Sequence, residues 1–177
     1  MNAVDAIYLA LPDEKYLGQV WDYRQECLDA NSSMDGCGPL RFNDPKEWLN
    51  HVIRYTDRAT LPEGKVLATQ FLAFRVSDWR LVGMIQVRHY FNEYLERFGG
   101  HIGYSVRPAE RRRGYAKEML RQTLPYCKRV GLTRVLITCD ADNEGSRRTI
   151  LANGGVYEST VHEPDENIDL ERYWIDL

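Results

Sequence analysis

Arg111-Arg112-Arg113-Gly114-Tyr115-Ala116 stands between an apolar strand, His101 to Val106, and an amphipathic helix from about Gly114 to Val130. A helix start has backbone N–H groups without intrahelical partners and the positive end of the helix dipole, a combination suited to phosphate. Gly114 lets the chain approach a bulky ligand, and Ala116 keeps the first turn small. The arginines add charge-assisted donors. The other reading of this run is a solvated basic face. Asn143-Glu144-Gly145-Ser146 opens a second helix that ends at Gly154-Gly155. Asn143 is a good cap and Ser146 a good third helical position. His89, His101 and Glu93 lie at strand ends or on the connection between them, and all three are residue types that can take up a proton.

The pattern of apolar residues gives the elements that must position these groups. Ala6 to Leu11 reads as a strand ended by Pro12-Asp13. Tyr16, Leu17, Val20, Trp21, Cys27 and Leu28 recur at three-and-four spacing, so Glu14 to about Ala30 is an amphipathic helix. A loop rich in turn formers follows, Asn31 to Pro39. Asp44-Pro45-Lys46-Glu47 starts another helix, with a cap, a proline at the first position and a glutamate able to reach back. Val66 to Val76 and Leu81 to His89 read as a hairpin around Ser77–Arg80. Asn92 to Arg97 has helical character. Pro125 falls inside the helix after the arginine run, where it costs roughly 3 kcal/mol unless the helix kinks. Arg134 to Cys139 is a short buried strand, and Val156 to His162 with Ile168 to Leu177 form a closing hairpin. The order is β-α-α-β-β-β-α-β-α-β-β.

At 177 residues the chain suits one domain, 1–177, with a full core. Its net charge of −3 does not suit a general nucleic-acid binder. Arg107 to Arg121 holds six basic residues against Glu110 and Glu118, a local excess that fits a small polyanion. The four cysteines, Cys27, Cys37, Cys127 and Cys139, form no CxxC pair. No metal site is expected from their spacing, and free thiols suit a cytoplasmic protein. The first residues lack a secretory pattern, and no apolar run reaches membrane-spanning length.

Arg111-x-x-Gly114-x-Ala116 after the strand ending at Val106 resembles the acetyl-CoA signature of the GNAT N-acetyltransferases. The order of elements is also that of the GNAT fold. Arg88-His89, Gly99-Gly100-His101-Ile102-Gly103-Tyr104-Ser105 and Arg172-Tyr173-Trp174-Ile175 look like a bacterial subgroup. The resemblance implies an α+β, three-layer fold with a mixed, mostly antiparallel central sheet of about seven strands flanked by four helices. It further implies that the strand at His101–Val106 bulges and splays from the strand at Arg134–Cys139. Tyr104, Ser105 and Val106 would line the pantetheine arm in that gap. Arg111, Arg112, Arg113, Gly114, Tyr115 and Ala116 would hold the pyrophosphate, Asn143 would bond the pantetheine region, and Ser146 would sit near the sulfur or the phosphates. An edge with unpaired backbone groups can satisfy an amide-bearing ligand.

The family chemistry is attack of a primary amine on the thioester of acetyl-CoA, the co-substrate. The acceptor would be a small-molecule or peptide amine. His89, Glu93 and His101 are the candidates to remove its proton, although strand alternation turns His101 away from the face of Tyr104. Many members carry a tyrosine four residues after the serine, where it protonates the leaving thiolate; here that position is Ile150. Tyr104, Ser146, Tyr157 or a water could substitute. Ile150 also keeps open an acyl-CoA-binding module without turnover. The acceptor would lie between the loop at Asn31–Phe42 and the turn at Glu163–Asn167, where Asp35, Glu163, Asp165 and Glu166 favour a cation. Acetyl-CoA and an amine are the expected partners, with no nucleic acid, no membrane, and a C-terminal hairpin that could pair two copies as a homodimer.

Overall fold

The computed structural model describes residues 5–177. Its strands are β1 (Ile7–Ala10), β2 (Ala68–Arg75), β3 (Leu81–Arg88), β4 (Ile102–Val106), β5 (Arg134–Asp140), β6 (Val156–Glu163) and β7 (Ile168–Asp176). Its helices are α1 (Leu17–Asp29), α2 (Pro45–Arg54), α3 (Tyr115–Arg129) and α4 (Glu144–Leu151). The seven strands and four helices follow the order read from the sequence. The helical character expected at Asn92–Arg97 is present, starting at Glu93 and widening into a π-type turn over Leu95–Gly99.

The strands divide between two antiparallel ladders, β1-β2-β3-β4 and β5-β7-β6, rather than one continuous sheet. The division falls at β4 and β5. His101 N–H donates to Leu136 O at 2.7 Å, and Leu136 N–H donates to His101 Nδ1 at 2.9 Å. Beyond that clasp no ladder joins the two strands. Splaying therefore needs no bulge: β4 pairs with β3 in unbroken register from Val87↔Ile102 to Gly83↔Val106.

Two cores sit on the two faces of the first sheet. One packs α3 and α4 under Val82, Ile85, Val87 and Ile102, with Met119, Leu120 and Ile150. The other packs α1 and α2 over Leu72, Phe74, Leu81 and Met84, with Tyr23, Leu40 and Trp48. Asp44 caps α2 as its sequence predicts, its Oδ1 accepting from Lys46 N at 2.8 Å and Glu47 N at 3.0 Å. Glu47 reaches back to the Asn43 side chain instead of the cap. Pro125 is accommodated within α3, where the carbonyl it leaves without a donor belongs to exposed Arg121.

The loop after α1 crosses β4 at very close range. Gly36, at φ +70°, sits so near that a Cβ there would lie 2.0 Å from Gly103 O. Gln70, buried on β2, holds this crossing through a 2.7 Å bond to Gly36 O.

Candidate active site

The separation of β4 from β5 opens a cleft of about 780 Å³. It begins at the start of α3, passes between β4 and β5, and reaches the loop after α1 and the β6–β7 turn.

At the first end, Arg111 is extended, Arg112 is left-handed (φ 61°) and Gly114 is left-handed (φ 84°). The first α-helical bond of α3 is Glu118 N–H to Gly114 O, 3.1 Å. Among the described residues, the N–H groups of Arg112 through Lys117 consequently have no protein acceptor. Successive unpartnered N–H groups in this conformation form an anion-binding concavity. Arg111 crosses the cleft wall, its guanidinium donating to Val106 O at 3.2 Å and to Ser32 Oγ. Arg112 is exposed beside it.

The turn preceding this concavity is fixed by a charge network that sequence reading did not find. Glu110 is buried and pairs with Arg75 at 2.8 Å, Arg80 at 3.1 Å and Arg113 at 3.2 Å. Glu26 on α1 takes Arg107 at 3.2 Å and accepts from Ala109 N at 2.8 Å. Arg113 is thereby drawn away, and it is absent from the cleft lining, whereas Arg111, Arg112, Gly114, Tyr115 and Ala116 are part of it.

In the middle of the cleft, the ladder with β3 decides which backbone groups are free. Arg88 N–H donates to His101 O and Arg107 N–H to Val82 O, so the odd residues of β4 bond to β3. Alternation then turns the N–H and C=O groups of Ile102, Tyr104 and Val106 into the gap. Ser105 faces the opposite core, where its hydroxyl meets Tyr23 Oη at 2.8 Å and Cys37 Sγ at 3.1 Å. Across the gap, Asn143 caps α4 by accepting from Ser146 N at 3.0 Å. Ser146 Oγ lies 2.8 Å from the Tyr104 hydroxyl. Burial raises the pKa of that phenol and outweighs the lowering by the Ser146 bond, so it is protonated at neutral pH. Cys139 also lines this stretch, with its thiol pushed up to about 11 by burial.

The far end is lined by Asp35, Arg88, Tyr94, Asp140, Glu163 and Glu166. Arg88 Nη1 donates to Gly99 O at 3.0 Å, and burial lowers its pKa. Burial, then the nearby Glu163 and Glu166, raise the Tyr94 phenol. Burial and then repulsion from Asp35 raise the Asp140 carboxyl. Glu163 is only 2% exposed, and Oε2 accepts from Glu166 N at 2.6 Å. Asp165 lies outside the lining.

The three proton acceptors named from the sequence are not in the cleft. His101 is spent on the β4–β5 clasp and lies against Phe91, ring centroids 4.0 Å apart. Burial first, then Arg88, push its pKa down to about 4. His89 faces α3, with Nε2 2.8 Å from Thr69 Oγ1, itself 2.6 Å from Tyr126 Oη. Glu93 is exposed on the connection before β4. Tyr157 is exposed on β6 and bonded to Thr160 Oγ1 at 2.8 Å. Ile150 is fully buried in the core. Asp35, Glu163 and Glu166 of this wall are legible in the sequence as an attraction for a cation; Asp140 is not, and the burial of Glu163 has no local sequence signal.

Two splayed antiparallel sheets with a turn of unpartnered N–H groups at the mouth of their gap are the architecture of the GNAT fold, and a family model described as an acetyltransferase (GNAT) domain matches residues 18–156. The chain belongs to that family. Among solved structures, a ribosomal-protein-S5-alanine acetyltransferase from Vibrio fischeri is 15% identical with a TM-score of 0.75, over 96% of this chain and 92% of that one. An acetyltransferase from Salmonella typhimurium that modifies the N-terminal serine of ribosomal protein L7/L12 is 17% identical with a TM-score of 0.69, over 97% and 95%. An acetyltransferase from the same organism, solved with acetyl-CoA, is 13% identical with a TM-score of 0.65, over 97% and 94%. Likeness at such identities concerns the fold. No curated protein matches the chain. No helix among the described residues is long and apolar enough to cross a membrane.

Proposed function

We propose that this chain is an acetyl-CoA-dependent N-acetyltransferase of the cytoplasm, acting on the primary amine of a small molecule or peptide by direct attack. The observation that carries this is the run of unpartnered N–H groups, Arg112 to Lys117, opening onto a cleft edged by the backbone groups of Ile102 and Tyr104 on β4, which have no ladder partner. A diphosphate fits the first and an amide-bearing arm fits the second. Arg111 and Arg112 supply countercharge, while Asn143 and Ser146 stand across the gap.

In the reaction the amine nitrogen forms a bond to the acetyl carbonyl carbon, the carbon–sulfur bond breaks, and the ammonium proton goes to the protein or solvent. Holding the two reactants together supplies much of the rate. Glu163, rather than a histidine, is the group this chain offers for taking the amine proton, directly or through water. The bonded Tyr104 and Ser146 hydroxyls offer a proton to the departing sulfur, a role that buried Ile150 leaves open. This pair favours turnover over an acyl-CoA-binding module that does no chemistry.

Melting the protein with and without acetyl-CoA tests the reading. A saturable rise in melting temperature that is lost in Gly114→Ala is expected; no rise at saturating acetyl-CoA would overturn it. Release of free thiol with a panel of amines then separates an enzyme from a binding module. The free outer edge of β6, the last strand of its ladder, is where a second copy would add.

A further inference from the structure

We propose, resting on the acetyltransferase reading above, that Ser32 is a positioning residue for the cofactor: its hydroxyl holds the Arg111 guanidinium in place for the diphosphate before any ligand arrives. Read from the sequence, the loop that carries Ser32 borders the acceptor. This assignment gives the first turn of that loop to the opposite end of the cleft.

Arg111 and Arg113, two residues apart, are held in different ways. Arg113 is paired with the Glu110 carboxylate at 3.2 Å. Arg111 has no carboxylate within ion-pairing distance among the described residues. Two neutral oxygens hold it instead: Val106 O accepts from Nε at 3.2 Å, and Ser32 Oγ accepts from Nη2. Neutral acceptors fix the direction of a guanidinium and leave its charge uncancelled. The group has five N–H donors. These two bonds use two of them, and three remain for phosphate oxygens, with Arg111 on the cleft lining.

Ser32 is itself fixed on every side. Its N–H donates to Cys27 O at 2.8 Å, its carbonyl accepts from Arg41, and its hydroxyl donates to Ser33 O at 3.1 Å. With the hydroxyl proton so directed, Oγ offers Arg111 only lone pairs. The residue is buried, at 8% exposure. The N–H groups of Arg112 to Lys117 are placed by the backbone, so the Arg111 side chain is the part of the anion site that needs support. A free arginine gives up rotamer freedom when it grips a phosphate, whereas one already held gives up little. Val106 O lies five residues away and fixes one point of the group. Ser32 lies 79 residues away, on another element, and fixes a second, which sets the plane of the fork.

The test is calorimetric titration of CoA into the intact chain and into Ser32→Ala, Arg111→Ala and the double variant. Affinity should fall about fivefold in Ser32→Ala and at least as far in Arg111→Ala. The double variant should be no weaker than Arg111→Ala alone, because Ser32 acts through the guanidinium. Losses that multiply would show that Ser32 props the loop independently of Arg111. An unchanged affinity in Ser32→Ala would show that Arg111 needs no support. Either result overturns the assignment and leaves the acetyltransferase reading standing, whereas a wild type that does not bind CoA removes both. Should Ser32→Ala fail to fold, the Arg111 Nε–H of the ligand-free wild type decides by NMR. An ordered resonance protected from exchange supports a held guanidinium, and a freely rotating side chain overturns it.

Discussion

The Tyr104 hydroxyl lies 2.8 Å from Ser146 Oγ, and this bond spans the gap between β4 and α4. Burial keeps the phenol protonated, so the pair meets the departing sulfur as a hydrogen-bond donor, stabilising the charge that develops as the carbon–sulfur bond breaks. Tyr104→Phe and Ser146→Ala should each lower kcat by about 10² while leaving the acetyl-CoA melting shift near wild type. The double variant should lose little more than either single one, because both act on one proton path. Steady-state kinetics of the three variants check this. Strictly additive losses would show that the two hydroxyls act separately.

His101 makes stability depend on pH. Its pKa is pushed from the ordinary histidine value down to about 4, by burial first and then by the Arg88 charge. A base depressed in the folded state contributes full stability above its unfolded pKa of about 6.5 and loses it as pH falls toward 4. The loss should reach about 3 kcal/mol by pH 4. His51 and His89 are lowered by burial as well and add in the same direction. Urea unfolding at pH 7 and pH 4 should therefore show a smaller difference for His101→Phe than for wild type, although the variant starts lower. An unchanged difference would place the pH dependence elsewhere.

What could be read from the sequence was what local chain chemistry determines. The strand, turn and helix around Arg111–Ala116 are contiguous, so periodicity and one glycine suffice to predict a helix start with unpartnered N–H groups, and the structure has one there. The same holds for the caps Asp44 and Asn143, whose partners lie within three residues. The roles of His101, Glu110 and Glu163 are set by distant pairings. His101 meets Leu136 across 35 residues, and Glu110 meets Arg75 across 35. Nothing beside Glu163 marks it as buried, with exposed His162 before it and four exposed residues, Pro164 to Asn167, after it. A histidine at a strand end therefore read as a base and an acidic turn as an attraction for a cation, while the structure commits His101 to the β4–β5 clasp and buries Glu163 in the cleft wall.

Gly36 is irreplaceable for a steric reason. Its φ of +70° and the 2.0 Å separation of a built Cβ from Gly103 O leave no room on the backbone of β4. Gly36→Ala should cost at least about 2 kcal/mol, from left-handed strain and overpacking together. Gly64, also left-handed at φ +74° but with open space around it, serves as the control: Gly64→Ala should cost about 1 kcal/mol. Thermal or urea denaturation of the two variants measures the difference, and equal losses would mean that the loop does not rest on β4.

Glu110 holds three arginines, and its pair with Arg75 is the most secluded, with side chains 7% and 11% exposed. Removing the carboxylate leaves Arg75 charged and largely enclosed, with Asp78 at 2.6 Å as its one remaining carboxylate and the Tyr115 hydroxyl at 3.4 Å. Glu110→Ala should destabilise the fold by about 3 kcal/mol. It also frees Arg113 and loosens the turn before the unpartnered N–H groups, so its acetyl-CoA affinity should fall further than in Arg113→Ala, which leaves Glu110 tied to Arg75 and Arg80. Binding isotherms at a temperature where both variants remain folded distinguish the two. If Arg113→Ala weakens acetyl-CoA as much as Glu110→Ala, then Arg113 leaves its pair with Glu110 to join the phosphates, and the network is a reservoir of charge for the site as well as its foundation.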